Sequence, residues 1–137
     1  MTNNELIAKA FEAMEYAYAP YSGYRVGAAL LTKDGKVYTG CNIENAAFGP
    51  TNCAERTAFF KAVSEGDADF ATICVVGGKD GNVGDYFYPC GVCRQVMAEF
   101  CDDSFEIIVA KSCDDYKVFT LDGILPQRFS KSNVSEV

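Results

Sequence analysis

Seven cysteines stand in this chain, at Cys41, Cys53, Cys74, Cys90, Cys93, Cys101 and Cys113, and an odd number of thiols cannot pair completely. The first residues, Met1-Thr2-Asn3-Asn4-Glu5, lack the basic start and apolar run of a secretory signal. A cytoplasmic setting is therefore expected, where thiols stay reduced and a disulfide scaffold is disfavoured. The fold must then rest on its own core. The chain has 137 residues, the length of about one ordinary domain. A domain of this size buries roughly two-thirds of the surface its unfolded chain exposes. Apolar residues at 49% and charged residues at 23% exclude a disordered or collagen-like chain. No apolar run approaches the ~18 residues of a membrane span, so no membrane partner is expected.

Hydrophobic periodicity orders the chain. Thr2-x-x-Glu5 fits a capping box, and Ile7, Phe11, Met14 and Tyr18 recur behind it at helical spacing. This first helix is expected to run until Pro20 stops it. Val26–Thr32 and Lys36–Ile43 read as strands joined by Asp34-Gly35, a hairpin signal. Glu44–Thr51 reads as a loop, and Asn52 as the N-cap of a helix from Cys53 to about Glu65. Residues 70–76 form an apolar run expected as a buried strand. A Gly- and Asp-rich loop, 77–88, leads to a helix from about Cys90 to Phe100. Glu106–Ala110 and Lys117–Leu121 read as strands around a Ser112–Asp115 turn, and residues 130–137 as a polar tail. The order α-β-β-α-β-α-β-β predicts an α/β fold: one domain over 1–137, a three-layer α/β/α sandwich with a mixed sheet of about five strands under three helices.

Charge narrows the partners. Lys and Arg number 12 against 19 Asp and Glu, a net charge of −7, and no basic cluster offsets it. Such a surface disfavours nucleic acid and admits a neutral or cationic small molecule more easily.

There is no histidine, which removes Ser-His-Asp and Cys-His nucleophilic machinery and every His-based metal site. What remains is thiols and carboxylates. Cys53-Ala54-Glu55-Arg56 and Pro89-Cys90-Gly91-Val92-Cys93 each open a predicted helix, whose N-terminal partial charge favours the thiolate a metal needs. Cys90 and Cys93 share one helical face, so both sulfurs reach one ion, with Cys53 as a third ligand from the other helix. Three thiolates and one open position describe a catalytic zinc site, one Zn2+ per chain. Glu55, two residues after a ligand, is free to move protons there. Arg56 is expected to hydrogen-bond the sulfurs and offset their charge. Cys90-Gly91-Val92-Cys93 also fits a dithiol redox motif at a helix start, which predicts a reversible disulfide and leaves Cys53-Ala54-Glu55-Arg56 unexplained. By spacing alone, Asn42 and Glu44 read as turn caps, and Tyr24 and Phe129 as core aromatics.

Cys53-Ala54-Glu55-Arg56 followed by Pro89-Cys90-Gly91-Val92-Cys93-Arg94-Gln95 resembles the zinc-dependent cytidine deaminases, in particular the small homotetrameric type. Ala19-Pro20-Tyr21-Ser22, Val26-Gly27-Ala28-Ala29-Leu30, Asn42-Ile43-Glu44-Asn45-Ala46 and Leu125-Pro126 with Phe129 extend the resemblance over residues 5 to 129. It implies zinc on Cys53, Cys90 and Cys93, with Glu55 as proton shuttle. It further implies Asn42 and Glu44 on the ribose 3′-hydroxyl, Ala46 in the same substrate loop, and the Ala54 N–H on the pyrimidine O2. Tyr24 stands where the family usually packs Phe against the base. Phe129 would reach the base from a neighbouring subunit, so the sites of a homotetramer would complete one another. The implied reaction is hydrolysis of cytidine and 2′-deoxycytidine to the uridines and ammonia, in pyrimidine salvage. Phe48 stands where the family often has Tyr, and Tyr88 where a small residue is commoner. A related deaminase acting on another aminopyrimidine nucleoside therefore stays open.

Overall fold

The computed structural model describes residues 1–134; the last three positions of the expected polar tail lie outside the described residues. Five strands form one sheet in the order β2-β1-β3-β4-β5. They are β1 (Tyr24–Thr32), β2 (Val37–Cys41), β3 (Phe70–Lys79), β4 (Glu106–Ser112) and β5 (Asp115–Thr120). The β3–β4 pair is parallel and the others antiparallel, so the sheet is mixed as expected. Its helices are α1 (Asn3–Met14), α2 (Ala54–Ser64), α3 (Gly91–Phe100) and the short α4 (Leu121–Ile124), with a 3-10 turn over Lys131–Asn133.

Alternation along the strands builds two cores. Val26, Ala28 and Leu30 of β1, with Ile73, Val75, Ile107 and Val109, face α2 and α3. Ala29, Cys74, Val76, Ile108 and Ala110 point the other way, onto Leu6, Ile7, Ala10 and Met14 of α1. This is the three-layer sandwich. Two glycines let the layers close: a Cβ at Gly27 would lie 2.1 Å from the Ala10 carbonyl oxygen, and one at Gly40 would lie 2.4 Å from that of Ala54. The helices rest directly on strand backbone at these points.

Several boundaries differ from the expectation, each for a readable reason. α1 begins as predicted, with the Thr2 hydroxyl accepting from the Glu5 N–H at 3.2 Å, but it ends at Met14 rather than Pro20. Beyond it, Tyr18 donates to the Asn42 carbonyl and accepts from the Glu44 N–H, both at 2.9 Å. These bonds draw the chain out of the helix and onto the segment after β2. That segment leaves the sheet at Cys41 instead of Ile43, since Ile43 pairs with Asn52. Asn52 is thereby committed, and the N-cap of α2 is Cys53. β3 runs on to Lys79 because its end still pairs with Tyr24–Val26 of β1. Leu121 opens α4 rather than closing β5, for the Thr120 hydroxyl caps that turn by accepting from the Gly123 N–H.

Candidate metal centre and its cleft

α2 and α3 pack in one layer, and each begins at a cysteine in extended conformation: Cys53 and Cys90 are the N-caps. Neither side chain caps its helix. Both sulfurs turn instead toward Cys93, one turn into α3. The three Sγ atoms lie within 4.8 Å of one another, with Cys53–Cys90 at 3.9 Å and Cys90–Cys93 at 3.6 Å. Tetrahedral zinc with Zn–S bonds of about 2.3 Å places its sulfurs about 3.8 Å apart. The cluster fits that ion without rearrangement.

Charge in the cluster is already arranged. The Cys93 thiol donating to it and the Arg56 guanidinium beside it hold the Cys53 thiol down, to about 5. The matching cost falls on Cys93, which is pushed up by keeping its proton for Cys53. Arg56 Nη2 donates to Cys53 Sγ at 3.2 Å. Glu55, in the first turn of α2, is 2% exposed, and burial pushes its carboxyl up to about 7. Its Oε1 is buried without a hydrogen-bond partner. A buried carboxyl oxygen left unpaired beside three convergent sulfurs is a costly arrangement that a metal-directed water would satisfy.

The cluster opens on a cleft of about 420 Å³, within the range of small-molecule sites. Cys53, Ala54, Glu55 and Cys90 line its inner part, with Tyr24, Val26, Phe87 and Tyr88 as apolar walls. Asn42, Glu44, Ser22, Thr51 and Asn52 supply the polar rim. Asn42 is held to β1 on both sides: its Oδ1 accepts from the Val26 N–H at 2.9 Å and its Nδ2 donates to the Tyr24 carbonyl at 2.7 Å. One amide N–H is left over. Glu44 Oε1 accepts from the Tyr21 and Ser22 N–H groups at 3.0 and 3.1 Å, and Oε2 accepts from the Ser22 hydroxyl. The Ser22 hydroxyl and N–H hold the Glu44 carboxyl below its usual range.

Of the residues singled out in the sequence, this cleft gathers Cys53, Cys90, Glu55, Ala54, Tyr24, Asn42 and Glu44, with Cys93 and Arg56 behind the sulfurs. Ala46 is exposed and outside it. Phe48 is 73% exposed and borders an adjoining hollow with Tyr21 and Thr51. Phe129 is 65% exposed, its carbonyl accepting from Gln95 Nε2 at 2.7 Å, and it does not line the cleft. Ser22, Val26, Thr51 and Asn52 also line the cleft and were not singled out for the site, for a strand valine and three loop polar residues carry no local signal of a ligand.

Comparison with known proteins places the chain among relatives. Residues 1–109 match the family model described as the cytidine and deoxycytidylate deaminase zinc-binding region. A cytidine deaminase of Sporosarcina psychrophila is 50% identical over 98% of this chain and 96% of its own. One of Halalkalibacterium halodurans is 46% identical over 99% of this chain and 100% of its own. The crystal structure of cytidine deaminase from Burkholderia pseudomallei superposes with a TM-score of 0.86 at 46% identity, covering 94% of this chain and 100% of that one.

Proposed function

The chain belongs to the zinc-binding cytidine and deoxycytidylate deaminase family, and on that premise we propose how its own residues carry the reaction. It is a zinc-dependent enzyme that deaminates cytidine, and the cluster of Cys53, Cys90 and Cys93 suits one zinc ion per chain. Bound there, zinc supplies Lewis acidity, bringing the pKa of a water toward neutrality so that it is nucleophilic toward C4 of the base. Glu55 moves the protons. Its carboxyl, lifted to about 7 by burial, takes the proton the water gives up and delivers it to N3, making C4 more electrophilic. It then takes the remaining proton of the hydroxyl added at C4 and passes it to the amino group, so that oxygen replaces nitrogen and ammonia departs.

The remaining residues hold the nucleoside. The Ala54 N–H, among the first of α2 and without an intrahelical acceptor, donates to the pyrimidine O2. The Tyr24 ring packs on the base. The unused Asn42 N–H donates to the ribose 3′-hydroxyl, and Glu44 accepts a hydrogen bond from that hydroxyl. A polymer carries phosphate at this position, so the substrate is a free nucleoside, in keeping with a net charge of −7. 2′-Deoxycytidine, which keeps the 3′-hydroxyl, is the second proposed substrate, and both reactions serve pyrimidine salvage. Phe48 and Phe129 act across subunits of a homotetramer, Phe129 reaching a neighbour's base; their solvent exposure supports this. Thiol ligands that must stay reduced fit the cytoplasm, and no helix among the described residues is long and apolar enough to cross a membrane.

The observation that carries the mechanism is the buried, unpartnered Glu55 Oε1 beside three convergent sulfurs. Ultraviolet spectra of purified enzyme with cytidine should show conversion to uridine, abolished by a strong zinc chelator. Glu55→Ala should keep one zinc per chain and lose at least about a hundredfold in kcat. Rapid turnover by zinc-loaded Glu55→Ala refutes the shuttle.

A further inference from the structure

Glu44 does not reach the cleft as a free side chain. Its two oxygens accept three hydrogen bonds, all from Tyr21 and Ser22, which lie more than twenty residues earlier on the stretch between α1 and β1. Two come from backbone N–H groups and hold Oε1; the third comes from the Ser22 hydroxyl and holds Oε2. The hydroxyl's own direction is set in turn, since Ser22 Oγ accepts from the Tyr24 N–H at 3.0 Å. A serine oxygen that accepts from a fixed N–H has its single proton left for one acceptor, and here that acceptor is Oε2. The Ser22 carbonyl is pinned as well, accepting from Lys79 Nζ at 2.6 Å, and the same ammonium sits 5.4 Å from the Tyr24 ring centroid. Ser22 thus joins the strand end that carries Tyr24 to the Glu44 carboxylate.

From this chain of bonds, Tyr24 N–H to Ser22 Oγ to Glu44 Oε2, we propose that Ser22 is a positioning residue for sugar recognition. It fixes the rotation of the Glu44 carboxylate, so that the lone pair of Oε2 not already used faces the 3′-hydroxyl. The backbone N–H groups alone hold one oxygen and leave the carboxylate free to turn about it; the hydroxyl removes that freedom. The inference rests on the proposed contact between Glu44 and the 3′-hydroxyl and adds what makes that contact selective. Ser22 touches the substrate's partner and not the reacting atoms, so it acts on binding of the sugar.

The test compares cytidine with 3′-deoxycytidine on the zinc-loaded enzyme, unsubstituted and as Ser22→Ala and Ser22→Thr, with zinc content measured for each. Ser22→Ala is expected to lower kcat/KM for cytidine about tenfold, mostly through KM, the worth of one charge-assisted hydrogen bond. For 3′-deoxycytidine, which has no hydroxyl to read, the loss should stay below about twofold, and Ser22→Thr should recover most of the cytidine value. Equal losses on both substrates, or no loss on either, overturn the role of Ser22 while leaving the sugar contact intact. If the unsubstituted enzyme fails to discriminate the two substrates, the Glu44 contact itself is wrong and the proposal falls with it.

Discussion

Arg56 does its work at the scale of a single hydrogen bond. Its Nη2 donates to Cys53 Sγ at 3.2 Å, and its Nε is buried without a partner. On the proposed mechanism, a guanidinium committed to a thiolate would withdraw part of the charge that three sulfurs give a divalent ion, and so favour acidification of a water there. Arg56→Gln should therefore cost about ten- to a hundredfold in kcat or in zinc affinity; kinetics beside chelator competition separate the two. Full activity with full zinc affinity shows that Arg56 serves packing alone. That three cysteines would converge with Glu55 and Arg56 beside them was legible in the sequence, because two short motifs at helix starts carry those residue types. Ser22 was not legible as a partner of Glu44. A serine on a loop is ordinary, and only the approach of a distant carboxylate gives it a task.

At the scale of the element, the two helices that carry the metal ligands begin with thiols where Ser, Asp or Asn would cap them better. Cys53 and Cys90 leave their helix amides uncapped, so helix stability there is given up for the cluster. The expected cap at Asn52 failed because Asn52 pairs with Ile43 across the loop, a contact no local pattern announces. α1 stopped short of Pro20 for the same kind of reason, the backbone bonds of Tyr18. The strands were easier to read, since continuous apolar runs such as those of β1 and β3 mark strands covered on both faces. What the pattern did not show is where helices touch the sheet. At Gly27, an added Cβ meets the Ala10 carbonyl oxygen at 2.1 Å and the Met14 nitrogen at 2.6 Å, and neither backbone atom can move aside without shifting α1. Gly27→Ala should lower Tm by about 10 °C or more in a thermal melt. Gly84→Ala, with nothing within 4 Å of the new methyl, should change it by no more than about 2 °C. Similar melts for the two variants would contradict this packing.

Over the whole molecule, the layering brings the starts of α2 and α3 together on one side of the sheet and lays the 18–24 and 42–52 segments beside them. Phe48 and Phe129, the two aromatics proposed to act across subunits, are 73% and 65% exposed. In the proposed homotetramer they meet neighbouring copies. Sedimentation should give about four chains per particle, and Phe129→Ala should lower kcat/KM for cytidine about tenfold while keeping that mass. A fully active monomer would end the tetramer reading and with it the assignment of Phe129 to a neighbour's site.

The sequence by itself determined the α/β class, the strand order along the chain, and the chemistry of the metal ligands with their carboxylate. The first two follow from periodicity along the chain, and the last from two short motifs, each at a helix start, whose residue types suit one ion. Tertiary structure alone decided which elements end early, which polar groups are spent on the scaffold and which are left for a ligand. Asn42 shows the difference most plainly: its type and position suggested a turn cap. The fold binds it across β1, to Val26 and Tyr24, and brings its remaining N–H to the rim of a cleft lined from four separate stretches of chain. Contacts between residues far apart along the chain cost loop-closure entropy and leave no local signature, so they become visible only once the chain has folded.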